Sequence, residues 1–123
     1  MSWLDPTELR IGLGCMRLPA DHELALATVA AAADAGVRVF DTAHAYAPEG
    51  AALGHNERLL AQALKSAALR ERPRIVTKGG MTRPGGRWVP DGRAKTVAAG
   101  CEASLEPRYN VVMPSLDRRA YSP

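Results

Sequence analysis

Residues 31–46 read AAADAGVRVFDTAHAY, and this stretch decides the fold class. It opens on the end of an alanine-rich helix, turns at Gly36 and runs through Val37, Val39 and Phe40 into an acid, Asp41. Gly36 stands where a chain leaving a helix commonly needs a left-handed backbone, which glycine adopts without strain. Val37–Asp41 is then a short apolar strand. A helix that hands the chain to a strand within so few residues is the junction of a layered α/β protein.

The same pattern recurs on either side. Upstream, Ile11–Met16 reads as a buried strand punctuated by Gly12 and Gly14, and Pro19 ends it. Asp21 is expected to cap a helix over His22–Ala35, with Leu24, Leu26 and Val29 among its apolar residues. Downstream, a loop holds His44, Tyr46, Pro48 and Gly50. Asn56 is expected to cap a helix over Asn56–Leu69, whose Leu59, Leu60, Ala63 and Leu64 recur at helical spacing. Ile75–Lys78 is a third apolar strand. Gly79–Gly92, with five glycines and two prolines, reads as a loop, and Arg93–Leu105 as a helix. The order β-α-β-α-β-α implies parallel strands with helical crossovers and a sheet covered on both faces. Active sites of such sheets collect at the C-terminal ends of the strands. Asp41 and Lys78 sit at those ends, and Tyr46 follows one of them.

The chain has 123 residues. That suits one domain, buries roughly 65% of the unfolded surface, and is too short for a complete (β/α)8 barrel of about 250 residues. Hydrophobic residues make up 46% and charged residues 24%, a soluble composition. With a single Phe, the core must be built from Ala, Val and Leu. No apolar run approaches the roughly 18 residues of a membrane helix, and MSWLDPTELR lacks the apolar segment of a secretory signal. Cys15 and Cys101 are far apart in unrelated contexts, which argues against a disulfide framework or zinc site. A reduced, cytoplasmic protein is the expectation.

The net charge of +3 is unevenly spread, with a basic block over residues 70–95 that holds eight basic and two acidic side chains. Either this block draws a phosphate or an acidic substrate, or its charges are simply solvated. Without interleaved aromatic residues it is not read as a nucleic-acid surface.

Two groupings point to chemistry. Gly12-Leu13-Gly14-Cys15-Met16-Arg17 resembles the start of a dinucleotide fingerprint, but Arg17 fills the third glycine position and Pro19 intervenes before any helix. A Rossmann loop is therefore rejected. The second grouping is Asp41, Tyr46 and Lys78. A tyrosine serves as a general acid toward a carbonyl oxygen if its pKa of about 10 is lowered. A lysine ammonium favours the phenolate, and a carboxylate keeps that lysine charged. From spacing alone, any one of them is more often a structural ion pair or a loop tyrosine, and the functional reading stays open beside that one.

The surrounding sequence resembles the aldo-keto reductases. The matching stretches are IGLGCMRLP (11–19), AAADAGVRVFDTAHAY (31–46), GHNERLLAQAL (54–64), VTKGGMTRPGGRWVPDG (76–92) and CEASL (101–105). The resemblance implies a (β/α)8 TIM barrel, of which residues 1–105 supply about three βα units. It implies NADP(H) bound without a Rossmann loop, and hydride transfer to an aldehyde or ketone. By position, Tyr46 becomes the general acid, Lys78 its ammonium partner and Asp41 the anchor of Lys78. Gly14, Cys15 and Met16 match a segment near the cofactor, which Asp41 also approaches.

The family's fourth catalytic member is a histidine ending a fourth strand, and no histidine follows His55. Residues 106–123 diverge from the pattern and read as a tail, with Val111–Met113 either a fragment of strand or disordered. The chain is therefore expected to be incomplete as a catalyst. An alternative reading is a non-catalytic interaction module whose open sheet edges drive self-association. His44 is either a plain loop histidine or part of a pocket mouth. Trp88 either touches substrate or covers the rim, and Cys101 is expected to be a small core residue.

Overall fold

A computed structural model of the chain describes residues 6–67 and 73–106. Strands β1 (Gly12–Gly14), β2 (Val39–Asp41) and β3 (Arg74–Val76) alternate with helices α1 (His22–Asp34) and α2 (His55–Ser66). A short hairpin, β4 (Met81–Thr82) and β5 (Val89–Pro90), precedes helix α3 (Ala94–Ser104). The three long-range strands form one parallel sheet in the order β1-β2-β3. Leu13, Phe40 and Ile75 lie side by side in its register.

This central row builds the core. Phe40 is fully buried and packs with Val29 and Ala33 of α1 and with Leu60, Ala63 and Leu64 of α2. Leu13 and Ile75 pack against the same cluster. Both helices thus lie on one face. Strand order that advances without reversal, with crossovers of one hand, has this consequence. For the described residues the expectation of a sheet covered on both faces is corrected: α1 and α2 both pack on the Phe40 side, while Gly12, Gly14 and Val76 are exposed. Helices on a single side of a parallel sheet are the layout of a barrel wall rather than of a doubly wound sheet.

Local signals explain most boundaries. Asp21 caps α1, its carboxylate accepting from the Leu24 N–H at 2.8 Å. Gly36 follows α1 with φ +98°, as its position suggested. All three strands are shorter than the apolar runs. Lys78 therefore stands two residues beyond β3, where bonds from the Thr42 N–H to the Val76 carbonyl (2.8 Å) and from the His44 N–H to the Lys78 carbonyl (3.1 Å) keep the chains together.

Three further expectations are corrected. Asn56 does not cap α2; the helix starts at His55 after a left-handed Gly54, and the Asn56 side chain is turned inward to other partners. The glycine-rich stretch is not an open loop. It folds into the antiparallel pair Met81↔Pro90 and Thr82↔Val89, closed by a turn in which Gly85 and Gly86 have positive φ. Cys101 is exposed, because among the α3 residues only Ser104 is buried. Residues 68 and 69, expected to end the second helix, and the tail from 107 lie outside the described residues. Among the described residues no helix is long and apolar enough to cross a membrane.

Candidate active site

The sheet delivers Asp41, Tyr46 and Lys78 to one place. Asp41 ends β2 between Gly14 and Val76 in the register. The Lys78 ammonium donates to Asp41 Oδ2 at 2.8 Å, to the Thr42 carbonyl at 2.7 Å and to Tyr46 Oη at 3.3 Å. Three acceptors thus meet the three donors of one ammonium. Burial opposes its charge, but the hydrogen bonds and charge of Asp41 and Tyr46 outweigh it and hold Lys78 above the usual lysine pKa. The ammonium also lies 4.9 Å from the centre of the Tyr46 ring.

The expected first-strand residues divide. Gly14 faces open space, since a Cβ added there would meet nothing within 4 Å. The Met16 side chain is 55% exposed. Cys15 is buried, and its N–H donates to the Asp41 carbonyl at 2.8 Å. Desolvation, reinforced by the charge of Asp41, raises its thiol pKa to about 11, so Cys15 is a packing residue rather than a nucleophile.

Two supporting residues escaped the sequence reading. Asn56 Nδ2 donates to the Cys15 carbonyl at 2.8 Å, and its Oδ1 accepts from the Thr42 hydroxyl at 2.6 Å. Asn56 thereby ties β1 to the residue after Asp41. Next to it, Glu57 accepts from the hydroxyls of Thr77 and Ser104 on Oε1 and lies 3.1 Å from His44 Nδ1 on Oε2. Burial alone would raise the Glu57 pKa, but these hydrogen bonds, led by that of His44, lower it. The sequence signal was a polar pair, Asn56-Glu57, opening a helix; a cap explained it too readily.

His44 is therefore more than a plain loop histidine. It is paired with Glu57 and also lines a cavity of about 490 Å³ with Leu53, Gly79, Thr82, Thr96 and Gly100. None of Asp41, Tyr46 and Lys78 lines that cavity. Trp88 lies edge-on to Tyr46, with ring centres 6.2 Å apart at 76°, and is 44% exposed beside the triad. Arg83 stacks on Trp88 at 4.0 Å and donates to the carbonyls of Ala45, Ala47 and Gly86. Much of the basic block has structural employment: Arg74 pairs with Glu8 and Arg93 with Asp91, each at 2.6 Å. Hydrogen bonding from Arg93 holds the Asp91 carboxyl well below its usual range.

A parallel α/β sheet thus joins a tyrosine, a lysine and an aspartate at the C-terminal ends of its strands. The aldo/keto reductase family model matches residues 10–108 of the chain. That span covers most of its length and all three site residues, and the chain belongs to the aldo/keto reductase family.

Proposed function

We propose that this chain carries the proton-donating centre of an NADP(H)-dependent reductase acting on a small-molecule aldehyde or ketone, and that its three βα units are part of a (β/α)8 barrel. The observation that carries the reading is the Lys78 ammonium bridging Asp41 Oδ2 and Tyr46 Oη at the end of the sheet. As negative charge develops on a carbonyl oxygen, Tyr46 Oη gives up its proton to it. Lys78 then faces a phenolate and stabilises it, and Asp41 keeps Lys78 aimed at that oxygen. The open space over Gly14 beside the half-exposed Asp41 suits a flat ring, with the exposed Met16 along its border and the buried Cys15 supporting the segment from within the core. Bound reduced nicotinamide supplies the hydride.

The test is consumption of NADPH by the purified chain with a reactive aldehyde such as 4-nitrobenzaldehyde. Turnover that disappears in Tyr46→Phe supports the reading and overturns the expectation that the chain is incomplete as a catalyst. Turnover that survives Tyr46→Phe, or none in the parent chain, overturns the reading for the chain alone.

A second reading rests on a different observation: among the described residues, β1 and β3 each pair on one side only. We propose that such edges let the chain associate with a copy of itself. Light-scattering masses that rise with concentration support this, and a constant monomer mass overturns it.

A further inference from the structure

We infer that Glu57 is a positioning residue, which sets Tyr46 against Lys78 by holding the segments that carry them. The inference rests on the reductase reading only in taking Tyr46 and Lys78 as the acting groups. The geometry itself is independent of it.

The carboxylate is 7% exposed and touches three separate parts of the chain. His44, 13 residues back, lies two residues before Tyr46. Thr77, 20 residues on, immediately precedes Lys78. Ser104, 47 residues on, closes α3 and donates at 2.8 Å. An ionised carboxylate only accepts, so the His44 Nδ1 facing it carries the proton. Oε1 serves both hydroxyls while Oε2 serves the histidine.

The backbone around this carboxylate leads directly to the reactive groups. The His44 N–H donates to the Lys78 carbonyl at 3.1 Å, and the Asn56 N–H donates to the Tyr46 carbonyl at 3.0 Å. Glu57, next to Asn56, therefore fixes side chains on the two strands of backbone that these bonds join. The distance it guards is a sensitive one. Lys78 Nζ and Tyr46 Oη are 3.3 Å apart, near the outer limit of a hydrogen bond, so a displacement of about 1 Å breaks the contact. A buried carboxylate is costly unless its donors are all in place. Here they come from the loop of Tyr46, the approach to Lys78 and the end of α3.

The experiment compares the full chain with Glu57→Ala, Glu57→Gln and the milder Thr77→Val. Leu60→Ala is the control, since it opens a cavity in the buried core and removes none of the three bonds to Glu57. The first readout is the nuclear Overhauser effect between the Tyr46 ring and the Lys78 side chain, assigned with Tyr46→Leu and Lys78→Arg. The second is the split between kcat and KM. Expected are loss of the cross-peak in Glu57→Ala, weakening in Thr77→Val, and substantial recovery in Glu57→Gln, whose amide replaces part of the bonding. Leu60→Ala keeps the cross-peak although its thermal midpoint falls. Turnover should follow, with kcat down roughly 100-fold in Glu57→Ala and KM little changed. A full cross-peak in Glu57→Ala, or in Thr77→Val should Glu57→Ala not fold, overturns the inference, as does equal loss in Leu60→Ala. If the parent chain has no turnover, the reductase reading of the chain alone falls while the cross-peak still decides the role of Glu57.

Discussion

The Lys78 ammonium stands 2.8 Å from the Asp41 carboxylate, although 37 residues separate the two in the chain. Parallel pairing of β2 with β3 makes the contact, since it carries both residues to the same end of the sheet. Replacing Asp41 by Asn removes the strongest influence that raises the Lys78 pKa. The ammonium of Lys78 should then titrate at lower pH in nitrogen-15 NMR spectra of the lysine side chains. A raised folded pKa stabilises fully below the usual lysine value of about 10.4, and that stabilisation is lost as pH rises through the folded value. Asp41→Asn should flatten this alkaline dependence. Both side chains are more than two-fifths exposed, so the change in stability stays small.

Glu57 acts at the other end of the pH scale. Its lowered pKa means that its stabilisation is present above the ordinary glutamate value of about 4.3 and is lost as pH falls through the folded value. Urea unfolding midpoints measured from about pH 5 down to about pH 3 should fall less steeply in Glu57→Gln than in the parent. His44 faces the same carboxylate, so repeating the series in His44→Ala separates the histidine's share.

Asn56→Ala leaves the buried Thr42 hydroxyl without its acceptor and takes one of two donors, the other being the Leu18 N–H, from the Cys15 carbonyl. Its cost should be about 2 kcal/mol in urea unfolding. Adding Thr42→Val removes one stranded group with little change of shape. The double variant should therefore lose less than the sum of the single losses.

The two thiols should separate in a labelling experiment. Cys101 is exposed, whereas Cys15 is buried with its pKa raised to about 11. Ellman's reagent should titrate one thiol quickly in the folded chain and the second only when denaturant is added. Cys101→Ser should abolish the fast phase.

What the sequence disclosed depended on how far each interaction reaches. Asp21 and Gly36 were legible because a cap and a left-handed turn are settled within a few residues. Asp41, Tyr46 and Lys78 were legible because strand ends can be read from apolar runs, and the family pattern then linked them. Asn56 misled because a residue of its type before an apolar helix suggests a cap, while its actual partners, Cys15 and Thr42, lie 41 and 14 residues away. The link between Glu57, Thr77 and Ser104 left no local trace at all. The β4–β5 hairpin was hidden by its brevity, two residues a side, and by Pro90 within it. Cys101 looked internal because α3 is rich in small apolar residues, yet almost none of them is covered.

Arg83 gives the hairpin a duty that its sequence conceals. Its guanidinium clasps the carbonyls on either side of Tyr46, Ala45 at 3.3 Å and Ala47 at 3.1 Å, while also holding Gly86. A glycine-rich excursion of this kind would ordinarily tolerate shortening. Here the excursion is the hasp over the tyrosine: trimming it unfastens the residue it crosses, and lengthening it slackens the closure. Evolution of this loop is therefore yoked to the chemistry beneath it, and variation should accumulate at Arg87 and Gly92, which take no hold on the Tyr46 segment, before it reaches Arg83.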